Sequence, residues 1–162
     1  MDSSSDIYGL SSAERFVIWG LRLGLSPQIS GDTAREALIT GFRAARVSAA
    51  LPYFNEVTDA LATIWHQLHY VPEIHCTCCS CIGHEEWLLM QAIAALQYRD
   101  VSLAVRYLSA MLPEAGVRIV LHRAMHVAAI LSSAGWTLRC VRLDAVNASS
   151  FAMPGDGASL LH

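Results

Sequence analysis

The sequence predicts an all-α protein: a single-domain bundle of five to six helices with a cysteine-rich loop between helices three and four. Three observations carry this expectation. Apolar residues recur at three- and four-residue steps through most of the chain, most cleanly at Phe54, Val57, Leu61, Ile64 and Leu68. Helix-start signals of the Ser/Thr-x-x-Glu kind stand at Ser11–Glu14 and Thr33–Glu36. Alternating apolar and polar residues, the mark of a half-buried strand, occur only in part over Thr137 to Leu143, which reads as a lone strand with no partner.

The elements follow in order. Residues 1–10 are small and polar and read as a flexible N-terminus. Ser11 and Glu14 open a first helix to about Leu23, with Phe16, Trp19 and Leu23 on one face; Gly24 and Ser26-Pro27 stop it. A second helix, near 33–50, presents Leu38, Phe42, Ala45 and Ala49, and Gly41 within it weakens it or admits a close neighbour. Pro52 ends that helix or begins the third, which runs to about Tyr70. After the cysteine stretch, Gly83 precedes a fourth helix of about 84–97 with Leu88, Leu89, Ala92, Ile93 and Leu96 inward. Asp100 caps a short fifth helix that turns Val101, Ala104, Val105 and Leu108 inward. Pro113 suits the first turn of a sixth helix, which reaches Ser133 and is closed by Gly135. The division is a flexible end at 1–10, a helical domain at 11–146 and a flexible tail at 147–162.

Composition narrows the function classes. With 162 residues, 54% hydrophobic and 15% charged, the chain can bury a real core and does not read as disordered. All eleven basic side chains are Arg, which excludes any mechanism built on a catalytic lysine. A net charge of −3 gives no electrostatic case for nucleic acid. No membrane span is expected, since the most apolar stretch, Val117 to Trp136, carries Arg118, His122, Arg123 and His126. The N-terminus lacks the charged and apolar regions of a secretion signal, so a reducing cytoplasm is the expected setting. Clustered cysteines there point to metal or redox chemistry more than to structural disulfides.

The chemistry concentrates in His75-Cys76-Thr77-Cys78-Cys79-Ser80-Cys81, with His84 beyond. Two C-x-x-C pairs overlap, Cys76/Cys79 and Cys78/Cys81, a spacing that lets two thiolates reach one tetrahedral ion from a tight turn. Soft thiolates favour zinc, copper(I) or iron–sulfur iron, with zinc the leading expectation and an iron–sulfur cluster the alternative. The candidate ligands are Cys76, Cys78, Cys79, Cys81, His75 and His84. Because Cys78 and Cys79 are neighbours with diverging side chains, two or three cysteines plus His75 or His84 on one ion is the expected set. Glu85 and Glu86 open the next helix, whose positive end favours acids and lowers nearby thiol pKa values. Cys140 reads as a core or strand residue.

Other groups permit chemistry without specifying it. His66/His69 and His122/His126 lie one helical turn apart, with Cβ atoms about 5–6 Å apart, as do Glu56 and Asp59. A dinuclear His/Glu site in the bundle is thus an enzymatic alternative, although His122 to His126 lacks the glutamate of H-E-x-x-H. Arg35, Arg43 and Arg46 form a solvated face.

The helix Glu14-Arg15-Phe16-Val17-Ile18-Trp19-Gly20-Leu21-Arg22, two further helices, a Cys-Cys-rich loop and an acidic start at Glu86 to Leu89 together resemble a family of small bacterial proteins, mainly proteobacterial, with a mid-chain cysteine cluster. The resemblance covers about residues 12–138. It implies the helical architecture and the importance of the loop, and it brings no activity. The sequence-level expectation is therefore a small metal-binding protein whose Cys/His site shapes a surface for a protein partner or a second copy of the chain. A thiol or iron–sulfur redox sensor is the alternative.

Overall fold

Side-chain caps open two of the helices, those at Ser12–Leu25 and Val101–Ser109. The computed structural model describes residues 7–26 and 31–142. Helix α1 (Ser12–Leu25) opens with the reciprocal box expected of Ser11 and Glu14: Glu14 N donates to Ser11 Oγ (3.2 Å) and Ser11 N donates to Glu14 Oε2 (2.7 Å). Then follow α2 (Gly31–Ala44), α3 (Leu51–Gln67) with Pro52 in its first turn, α4 (His84–Gln97), α5 (Val101–Ser109) and α6 (Glu114–Ser133). Asp100 accepts from Leu103 N (2.9 Å) and so caps α5. The second sequence signal does not act as a cap, because α2 starts at Gly31 and encloses Thr33 in its first turn.

Four helices end alike. The residue two past the end of α2, α3, α4 and α6 is left-handed: Arg46 (φ 59), His69 (φ 51), Arg99 (φ 60) and Gly135 (φ 82). The next amide reaches back across the turn, Val47 to Phe42 O, Tyr70 to Trp65 O, Asp100 to Ala95 O and Trp136 to Leu131 O. These are Schellman closures, three of them built without glycine. They stop α2 six residues, and α3 three residues, before the sequence expectation.

One apolar core joins all six helices. Helix α6 packs against α3, α4 and α5, while α1 packs against α2, α3 and α4. Helix α4 is enclosed nearly all round, burying Leu88, Leu89, Ala92, Ile93 and Leu96 as expected. Elsewhere the inward face is turned slightly from the sequence reading. In α1 it is Val17, Ile18 and Leu21; Phe16 and Trp19 instead line a shallow surface depression with Trp136. In α3 the seam ends on Trp65 and leaves Leu68 exposed, and in α5 Leu103 and Tyr107 take the places expected for Val101 and Val105. Gly41 admits the Trp19 indole, which an added Cβ would meet at 2.3 Å. By length and composition α6 is able to cross a membrane; in the bundle it buries Val117, Val120, Ala124, Val127, Ala128 and Leu131.

The segment expected as a lone strand has no regular secondary structure over 137–142 and pairs with no strand among the described residues. Two glutamines of α4 stand in for one. Gln97 donates to Trp136 O (2.7 Å) and accepts from Leu138 N (2.8 Å); Gln91 donates to Arg139 O (3.1 Å) and accepts from Val141 N (2.8 Å). Each carboxamide spends one N–H and its carbonyl oxygen here, as a peptide unit does. Cys140 is half-buried against the core, and burial pushes its thiol pKa up. Residues 7–10, read from the sequence as a loose end, include a 3-10 turn at Ile7–Gly9 whose Ile7 N donates to Ser80 O (2.8 Å). Residues 1–6 and the tail at 147–162 lie outside the described residues.

Arg139 closes the bundle at α1. Its guanidinium grips the buried Glu14 carboxylate, with Nη2 2.7 Å from Oε2, and its amide also donates to Oε1 (3.2 Å). Burial alone would raise the Glu14 pKa, but the bonds from Arg139 and Ser11 outweigh it and lower the carboxyl from 4.5 to about 2. A depressed carboxylate stabilises the fold above its unfolded pKa and loses that contribution as pH falls through the folded one. Acid titration is therefore expected to remove on the order of 2 kcal/mol between about pH 5 and pH 2, after discounting for the solvent-exposed Arg139. Urea melts across that range, with Glu14→Gln as reference, check it; an equally steep acid limb in the variant would refute the assignment.

Candidate metal centre

Sixteen residues join α3 to α4, and most of their side chains face solvent. What fixes the backbone is a charge pair beneath it. Arg22, near the end of α1, and Glu86, in the first turn of α4, are 1% and 0% exposed. They meet in a fork: Arg22 Nε to Glu86 Oε1 and Nη2 to Oε2, both 2.9 Å. The remaining guanidinium donors go to three carbonyls of the loop. Nη1 donates to Cys76 O (3.1 Å) and Cys79 O (2.6 Å), and Nη2 donates to Cys81 O. Glu86 in turn accepts from His75 N (2.8 Å) and Gly83 N (2.9 Å). All five Arg22 donors are used and each Glu86 oxygen accepts twice, which is the condition for keeping such a pair dry.

A second carboxylate pair ties the two ends of the loop. Glu85 accepts from Glu73 N (2.8 Å) and from the Tyr70 hydroxyl; Glu73 Oε2 accepts from His84 N (3.0 Å). Burial pushes the Glu85 pKa up, but the Tyr70 and Glu73 bonds reverse this and hold it below the ordinary range. Gly83 fits where nothing larger does, since an added Cβ would lie 1.9 Å from Glu73 O.

On this frame a turn at Thr77–Cys78, closed by Cys79 N to Cys76 O (3.1 Å), gathers three thiols. The Sγ atoms of Cys76, Cys78 and Cys79 all lie within 4.8 Å of one another and could hold a metal ion. The neighbours Cys78 and Cys79 thus converge, against the sequence expectation, because the turn folds the chain between Cys76 and Cys79 around a common side. Cys76 and Cys78 are closest, with Sγ atoms 2.6 Å apart. Two thiolates on a tetrahedral ion at a metal–sulfur distance of about 2.3 Å stand about 3.8 Å apart. Hydrogen bonds from Cys78 and Cys79 lower the Cys76 pKa to about 7, and the same contact with Cys76 raises that of Cys79. Cys76 is the thiol poised to ionise near neutrality.

The other expected ligands stand apart from this group. Cys81 is exposed with its carbonyl held by Arg22, His75 turns Nε2 toward Glu73 Oε1 (3.4 Å), and His84 is exposed on the first residue of α4. His66 and His69 are exposed at the end of α3. His122 and His126 meet edge to face with centroids 5.3 Å apart, and His126 stacks on Tyr53 at 4.4 Å. Glu56 pairs with Arg123 (2.9 Å) rather than with a histidine. Among the described residues, Cys76, Cys78 and Cys79 form the only convergent group of three such donors.

Sequence reasoning gave Arg22 no role at the site and took Glu86 only as an acidic helix start. One signal was present: Arg22 lies a turn after Ile18 and between Leu21 and Leu23, a lone charge in phase with buried positions. Fold and site together define a class, a helical bundle carrying a thiol-rich loop that could hold a metal ion. Neither a family model, nor a curated protein, nor a solved structure matches the chain.

Proposed function

We propose that this chain is a metal-binding protein of the reducing cytoplasm. Its Cys76/Cys78/Cys79 loop takes one thiophilic ion, zinc, and the loaded loop is the surface that a protein partner or a second copy reads. The observation that carries this reading is the convergence of three thiols within 4.8 Å on a backbone already held by buried charges. Soft thiolates select such an ion, and the absence of lysine removes one large class of covalent catalysis. Because the loop backbone is bonded to both α1 and α4, the three thiols are displayed on a support anchored to two core helices. The order of helices, cysteine loop and acidic helix start also supports kinship with the small bacterial cysteine-loop proteins.

Elemental analysis of protein purified without oxygen tests the reading. About one equivalent of zinc is expected, falling to background in the triple variant Cys76→Ser/Cys78→Ser/Cys79→Ser. Metal-free protein that fails to take up added zinc would refute the reading. A brown product with visible absorption would replace zinc by an iron–sulfur cluster.

A further inference from the structure

Zinc that holds a protein together is caged by four protein ligands and folds the chain around itself. The cysteine loop is built differently in both respects. Its backbone is fixed by protein alone: three carbonyls, at Cys76, Cys79 and Cys81, are held by Arg22, and two amides, at His75 and Gly83, by Glu86. Its thiol group has three members, and no fourth His, Cys, Asp or Glu joins them among the described residues. Cys78 is exposed and Cys76 and Cys79 are half-buried, so the ion would sit at the surface with one coordination position turned to solvent.

We propose that the loop is an exchange site: it carries zinc on three thiolates, with water in the fourth position, and passes the ion to a thiol-bearing acceptor protein. This deepens the metal-binding reading and rests on it. The transfer balances without redox chemistry. An acceptor thiol gives up its proton, and its thiolate bonds to zinc in place of the water. The bond from zinc to Cys78 Sγ then breaks, and that thiolate takes up a proton. The same swap at Cys76 and Cys79 completes the transfer. Zinc remains divalent, and each incoming thiol releases the proton that an outgoing thiolate gains. A preformed loop suits this role, because neither loading nor release requires the bundle to refold.

The test uses the full chain loaded with one equivalent of zinc. X-ray absorption is expected to give three sulfurs and one oxygen or nitrogen at zinc. Cys81→Ser is expected to keep zinc affinity and transfer rate, whereas Cys78→Ser, which removes a direct ligand, weakens zinc by at least the roughly 100-fold that loss of an outer-shell partner can cost. With a metal-free Cys3His zinc-knuckle peptide as acceptor, whose three thiols match the three swaps, the observed transfer rate is expected to rise in proportion to peptide concentration, the mark of an associative swap. Amide exchange over residues 75–83 is expected to be alike in the metal-free and loaded protein. Four sulfurs at zinc, a transfer rate independent of the acceptor, or a loop protected only when loaded would each overturn the exchange proposal while leaving metal binding intact. Failure to bind zinc at all would overturn both.

Discussion

Arg22→Met is expected to lower folding stability by about 3–5 kcal/mol, the cost of stranding a buried carboxylate. Methionine approximates the arginine stem, so the loss reports the charge and the donors more than the volume. Glu86 would keep two backbone donors, His75 N and Gly83 N, but no countercharge. The carbonyls of Cys76, Cys79 and Cys81 would lose their shared donor at the same time. Urea unfolding measures the first effect, and amide exchange over residues 75–83 measures the second. The double variant Arg22→Met/Glu86→Leu separates them. Exchanging a buried ion pair for apolar side chains of similar size is often close to neutral, so much of the stability is expected to return while the loop stays loose. Arg22→Lys is not a rescue, because an ammonium has three donors and no planar fork. A lysine variant with wild-type stability and loop protection would contradict the role given to this side chain.

Gly83→Ala is the second large effect expected. An added Cβ would lie 1.9 Å from Glu73 O, and the obstacle is backbone. Gly83 cannot retreat without loosening its amide from Glu86 (2.9 Å), and Glu73 cannot retreat without loosening its own amide from Glu85 (2.8 Å). The expected cost is about 2–3 kcal/mol, which corresponds to a fall in Tm of roughly 5–10 °C for a domain of this size. Gly9→Ala is the matched control, since nothing lies within 4 Å of a Cβ added there. Equal melting temperatures for the two variants would show that the loop gives way more easily than its hydrogen bonds imply.

The parts of this molecule legible in its sequence are those whose signals are local. Apolar periodicity and the Ser11–Glu14 and Asp100 caps locate helices, and α4 spans the predicted 84–97. Helix ends are less legible where the left-handed closing residue is Arg46 or His69, since only glycine announces that conformation. The cysteines declare themselves because four soft donors crowd six positions. Their frame does not, because Arg22 and Glu86 are 64 residues apart and neither is unusual in a helix by itself. Gln91 and Gln97 were silent for the same reason: a carboxamide on a helix carries no mark of the backbone it will bind.

Arg22 touches the cysteine loop only through carbonyl oxygens, a group every residue type possesses. The scaffold is therefore blind to the side chains it displays. Ligand chemistry and loop architecture are written at separate positions, so one can drift or be redesigned while the other is kept. Histidines or carboxylates introduced at 76, 78 and 79 would inherit the same backbone, making this segment a ready mount for metal sites of other hardness.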